Sequence, residues 1–164
     1  MELLVREFGT GRCLMGRLSP GDDLLGTLEA LVRERSITSG QVQFIGALQK
    51  GALGYYDQTV RQYRVITLDR HLEIAAGMGN VSLRDGQPMV HAHLVLSDEE
   101  GHCWGGHLVP GNVVFACEFA LLVLEGEPWS RYPDDYTGLA LWRQPGAATA
   151  ACRPAAGCGA RRGN

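Results

Sequence analysis

Apolar and polar residues alternate along most of this chain, and that two-residue rhythm predicts strands. Glu2–Phe8 and Gly11–Leu18 read as two short strands, or as one strand bent at Gly9-Thr10-Gly11. Further strands are expected over Gln41–Leu48, with Gly46 marking a bulge or a close backbone approach, and over Ala52–Asp57, Gln62–Leu68, His71–Leu83 and Val90–Leu96. Val113–Leu124 is apolar on both sides of the alternation and fits a buried strand or a buried helix; its valine and phenylalanine content favours the strand. One segment keeps a different period. Leu24, Leu25, Leu28, Leu31 and Val32 recur at helical spacing, after Ser19-Pro20-Gly21-Asp22, which offers Ser19 as N-cap and Pro20 as the first helical residue. This helix is expected to end near Arg35 or Ser36. Glu127–Trp142 reads as loop with Arg131, Asp134 and Asp135 at the surface, and Gln144–Asn164 as an Ala/Gly/Arg-rich disordered tail. The pattern predicts one α+β domain over residues 1–143, a mostly antiparallel β-sheet with one principal covering helix, followed by the tail over 144–164.

Composition narrows the function classes. The chain has 164 residues and a formal charge of −3, so no overall basic field draws it to nucleic acid. Five cysteines, an odd number without framework spacing, suit reduced thiols. Met1–Gly11 carries Glu2, Arg6 and Glu7 among its apolar residues and does not resemble a secretory leader, so a cytoplasmic protein is expected. The longest apolar run, Val113–Leu124, is too short for a membrane span and is interrupted by Glu118.

Candidate chemistry concentrates in one predicted hairpin. Val90–Leu96 and the residues around Gly105-Gly106-His107-Leu108 flank the turn Ser97-Asp98-Glu99-Glu100-Gly101. Residues two apart on a strand share a face, so His91 and His93 point the same way. A turn centred on Glu99 sets His107 opposite His91, Gly105 opposite His93 and Cys103 opposite Val95. Three imidazoles then converge on one face while Leu94, Leu96, Trp104 and Leu108 occupy the other. His91, His93 and His107 form the ligand set of an open site for a divalent metal, with zinc first among those that imidazole suits. His71 and His102 fall outside this set. Glu73 and Glu118, each in an apolar strand, are the candidate fourth ligands or catalytic proton carriers.

The residues also resemble a known family. Ser19-Pro20-Gly21-Asp22-Asp23-Leu24, Val42-Gln43-Phe44-Ile45-Gly46-Ala47-Leu48, and His91-x-His93 followed by Gly101 and Gly105-Gly106-His107-Leu108 are similar to the plants-and-prokaryotes conserved (PPC) domain. Glu118 and the later Arg131…Thr137-Gly138 also fit its pattern, and the match runs from about residue 3 to 142. The resemblance implies antiparallel strands packed with a helix and assembled as a homotrimer, and a metal on His91, His93 and His107. It also implies a fold similar to that of acetolactate decarboxylase, a zinc enzyme. Plant relatives act on AT-rich DNA through AT-hook motifs, so DNA is the alternative partner. This chain departs from them: it has no Arg-Gly-Arg-Pro core to enter a minor groove.

Two functions are therefore expected to compete. One is a three-histidine metal site acting on a small-molecule substrate the sequence does not identify. The other is a DNA-associated oligomeric module, with Arg12, Arg17, Arg61, Arg64, Arg70 and Arg84 as its cations. A third reading makes assembly itself the product, with Phe44-Ile45-Gly46 and Val113–Leu124 at the subunit interface.

Overall fold

A computed structural model of the chain describes residues 3–143. The expected tail lies outside the described residues, as do Cys152 and Cys158. The described chain runs β1 (Gly9–Leu18), α1 (Leu24–Glu34), β2 (Gly40–Asp57), β3 (Gln62–Leu68), β4 (Leu72–Arg84), β5 (Gln87–Ser97), β6 (Cys103–Leu108), β7 (Val113–Glu125), β8 (Ser130–Pro133) and β9 (Ala140–Arg143). The mostly antiparallel sheet and its single covering helix agree with the sequence reading. Val113–Glu125 is a strand, as its β-branched and aromatic content indicated.

Strand β2 organises the sheet. Its first half lies between β7 and β4, while its second half pairs with β3 and touches β6 at Leu53↔Leu108 and Gly54↔His107. Because β4 pairs β5 and β5 pairs β6, the ladder returns to β2 and closes on itself. The bend this requires sits where the sequence marked it, at a register shift between Phe44 and Gly46. Gly46 has φ of +145°, and a Cβ there would lie 2.1 Å from the Ala116 carbonyl oxygen, so only glycine fits.

The inner face carries the core. Leu24, Leu28 and Val32 of α1 pack with Val42, Phe44, Leu94, Leu96, Leu108 and Leu121 from the strands. Alternation then dictates that His91, His93, Met78 and Ile45 face outward, opposite the helix.

Three expectations are corrected. Residues 3–8 form no strand, so the first strand begins at Gly9. The helix begins at Leu24 and not at Pro20, because Gly21 has φ of +90°, outside helical space. Ser19–Asp22 is instead a turn, and Asp23 is the N-cap, its Oδ1 accepting from Gly26 N at 2.9 Å and its Oδ2 from Gly111 N at 2.7 Å. Finally, Glu127–Trp142 is not merely loop: it contains β8, which pairs with β4 in parallel, and β9.

One buried amide ties the loop before β7 to β2. Asn112 is 0% exposed; its Nδ2 donates to the Ala52 and Val109 carbonyls at 2.9 and 2.7 Å, and its Oδ1 accepts from Ala52 N at 3.0 Å. Asn112→Ala strands these groups without water, so a loss of about 2–3 kcal/mol is expected in urea denaturation. A loss under about 0.5 kcal/mol would mean that the loop relaxes to satisfy them.

Candidate metal centre

His91 and His93 leave β5 on its outward face, and His107 of β6 is the direct cross-strand partner of His93. The register differs from expectation by two residues: His107 stands opposite His93 and not His91, Gly105 opposite Val95, and Cys103 opposite Ser97. The cause is the turn. The Asp98 carboxylate accepts from the backbone N–H groups of Glu100 and His102, both at 3.0 Å, and Asp98 N donates to the His102 carbonyl, which centres the hairpin on Glu100. A two-residue shift preserves facing, so the three histidines still converge.

Their ring centroids are 5.0 to 5.4 Å apart, and one ligand nitrogen from each lies within 4.8 Å of the others. His107 Nδ1 is buried and has no hydrogen-bond partner. An unsatisfied buried ring nitrogen beside two other imidazoles is the chemistry expected of a cation site. Among the described residues a second cluster, Asp98, Glu100 and His102, lies in the exposed hairpin turn; there His102 Nδ1 sits 3.2 Å from Glu100 and 3.5 Å from Asp98, as turn residues do without any metal.

The electrostatics favour the neutral form of His91 and His107. Burial, then the Arg131 charge, then His107 and His93 push His91 down to about 4 from 6.5. Burial, followed by His93 and Arg131, also lowers His107. Neutral imidazole is the form that ligates. The same shifts fix a sign for stability: below about 6.5 the unfolded chain takes up protons that the folded chain refuses. Metal-stripped protein is therefore expected to hold its full stability above that value and to weaken progressively as the pH falls toward 4. Urea midpoints across this window check it, and His91→Gln should flatten the slope.

Arg131, which the family resemblance picks out without a role, is the residue whose place beside His91 sequence reasoning missed. Expected at the surface, it is half-buried. Its Nε donates to Ser82 Oγ at 2.9 Å, its NH2 group to Asn80 Oδ1 at 3.0 Å, and the same NH2 group lies 3.2 Å from His91 Nδ1. Its partners lie 49, 51 and 40 residues away in sequence, a separation no local pattern reveals. Guanidinium only donates, so His91 Nδ1 must accept from it. Burial first, then the neighbouring Arg84 charge, lower the Arg131 pKa from its ordinary range.

A cleft of about 680 Å³ opens over the three histidines, walled by Tyr55, Tyr56 and Tyr63 of the β2–β3 hairpin and by Tyr136, Thr137 and Leu139 of the β8–β9 connection. Tyr63 packs on His107 with ring centroids 5.3 Å apart. The connection is stiffened by Asp134, whose Oδ2 accepts from Thr137 N at 2.8 Å and from Thr137 Oγ1 at 2.7 Å. Gly138 (φ of +75°) lets Tyr56 and Arg61 close on it, since a Cβ there would sit 2.7 Å from Tyr56 Oη.

Glu73 and Glu118 are not brought to the histidines within one chain. Glu73 is exposed opposite Ser97 and lines a separate cleft with His71 and Phe115. Glu118 is exposed on the outward face between Arg17 of β1 and Ile45 of β2. Of the arginines considered for DNA, Arg64 and Arg70 are paired with Asp57 and Asp98, while Arg61 and Arg84 line clefts beside the histidines.

Similar proteins share this fold or sequence. A metal-containing protein from Archaeoglobus fulgidus superposes with a TM-score of 0.83 and 39% sequence identity, covering 87% of this chain and all of that one. A structure from Ralstonia eutropha JMP134, named as a candidate DNA-binding protein, gives a TM-score of 0.71 and 27% identity over 80% of this chain and 90% of that one. A bifunctional GlmU protein from Synechococcus sp. strain JA-2-3B'a(2-13) is 40% identical over 134 residues, 79% of this chain. The chain spans about one fifth of the length of the curated relatives it matches. The family model of the Plants and Prokaryotes Conserved domain matches residues 5–125, and the chain belongs to that family.

Proposed function

We propose that the protein is a metal-binding domain whose ion, zinc first among the candidates, is held by His91, His93 and His107 and whose substrate is a small molecule. The observation that carries this reading is the buried, unpartnered Nδ1 of His107, a residue grouped with His91 and His93 so that one ring nitrogen of each lies within 4.8 Å of the others. The metal-containing Archaeoglobus relative supports it. A divalent ion on three imidazoles would supply an open Lewis-acid position and a bound water of lowered pKa. The chain's own residues do the rest. Tyr63 and Leu139 wall the cleft, and Arg131 donates to His91 Nδ1 until His91 ligates. Ligation by His91 requires its Nδ1 bond to Arg131 to be given up or the ring to turn over, and either change frees an Arg131 N–H.

Cobalt(II) titration of metal-stripped protein tests the site. Saturation of visible bands at one equivalent per chain is expected, and bands that never saturate would argue against a defined centre.

The assembly we infer is a homotrimer in the cytoplasm. Among the described residues no helix is long and apolar enough to cross a membrane. On the outward sheet face Met15 is 82% exposed, Ile45 59%, Met78 59% and Phe115 63%, an apolar set that a subunit contact would cover. Met78 is the cross-strand partner of His93, so a neighbouring chain seated on this face would reach the rim of the centre. Glu118 shares the face and is the carboxylate that such a neighbour would carry toward it; Glu73 lies nearer the other end of β4.

DNA association is the second reading, favoured by the name of the Ralstonia structure. Retention on immobilised duplex that falls steeply with salt would support it, and flow-through at low ionic strength would dismiss it.

A further inference from the structure

A second cleft, of about 300 Å³, adjoins the first at His91 and His107, and its walls include Arg61, Arg84 and Arg131. Neither cleft has a carboxylate among its lining residues. Arg131 spends its N–H groups on neutral acceptors: Ser82 Oγ, Asn80 Oδ1, His91 Nδ1 and, at 3.3 Å, the Ala140 carbonyl. Arg61 donates to the Asp135 backbone carbonyl, and its charge acts weakly on the nearby Asp134 carboxylate. Arg84 has only a loose contact, 3.9 Å, to the exposed Asp85 carboxylate. Half-buried Arg131 thus has no carboxylate partner, and the exposed Arg61 and Arg84 line the same cleft, in a chain whose formal charge is −3. A half-buried cation without a counter-charge is unfavourable, and guanidinium planes are shaped for oxyanions.

We propose that the cleft takes a small anion, a carboxylate or phosphate ester, whose charged end lies among Arg61, Arg84 and Arg131 and whose other end faces the three histidines. The orientation rests on reading those histidines as the metal centre; the anion subsite itself does not. Arg131 touches both halves, through His91 on one side and the arginine cleft on the other, so it is the residue that would register the ligand against the site. The tyrosines Tyr56 and Tyr63 line both clefts and give the ligand's uncharged body an aromatic wall.

The test is NMR titration of 15N-labelled protein at low ionic strength with acetate and, separately, methylphosphonate, in zinc-loaded and metal-stripped forms. Saturable shifts of the arginine Nε–H signals are expected in the wild type. The more strongly bound probe tells carboxylate from phosphate. Arg61→Met/Arg84→Met should weaken binding about tenfold or more with zinc content unchanged. Arg131→Met should do the same; the double variant, which leaves the Ser82 and Asn80 bonds in place, decides the matter should Arg131→Met fail to fold. Zinc-loaded protein that shows no saturable shift with either anion, or binding undiminished in the double variant, overturns the proposal and leaves the metal reading standing. Protein that takes no zinc yet binds the anion through these arginines supports the subsite and sinks the metal centre instead.

Discussion

His91→Ala/His93→Ala protein is expected to retain less than about a tenth of an equivalent of metal while keeping its fold. Groups that only support a ligand are worth about 10–100-fold in metal affinity, so each ligand itself is worth at least about 100-fold. Removing two of three leaves a lone imidazole. The fold should survive because both side chains leave the outward face of β5, whereas the core contribution of that strand comes from Val90, Ala92, Leu94 and Leu96. Circular dichroism and urea denaturation of the metal-stripped forms should therefore differ by no more than about 1 kcal/mol. A variant that keeps its metal would move the site elsewhere. A variant that unfolds would mean the histidines serve packing, which their outward placement argues against.

The second large effect concerns assembly. Wild-type protein should elute with the mass of three chains, and Ile45→Glu/Phe115→Glu with the mass of one, by light scattering after gel filtration. Burying an aliphatic or aromatic side chain stabilises by about 1.5–3 kcal/mol, and burying an unpaired carboxylate reverses the sign. In a trimer each substitution is made three times. Within a single chain both positions are exposed, so the subunit itself should tolerate the change. Three chains in both proteins would place the interface on another surface, and one chain in both would refute the trimer.

How much of this was legible in the sequence follows from the range of the forces involved. Strand parity is local, so the facing of His91, His93 and His107 survived a hairpin register misjudged by two residues. The register itself depended on the Asp98 side chain capping two backbone N–H groups, a choice the turn sequence left open. The bulge at Gly46 was visible because glycine inside an alternating run has few other reasons to be there. The helix start was misplaced because Ser19-Pro20 imitates a cap; the Asp23 carboxylate bonds Gly111 as well as Gly26, and that tertiary contact selected the later start. Phe44-Ile45 shows the limit of segment-level reading: it was expected at an interface as a unit, yet Phe44 is core and Ile45 is surface. The place of Arg131 beside His91 was out of reach of local pattern, since it depends on β8 joining β4 in parallel and on partners 40 to 51 residues away.

Elemental analysis of wild-type protein purified without an affinity tag and dialysed against metal-free buffer bears most directly on the metal centre. Near one equivalent of zinc, or of another divalent ion, per chain is the predicted result. Absence of metal, persisting after incubation with zinc and removal of the excess, would contradict it.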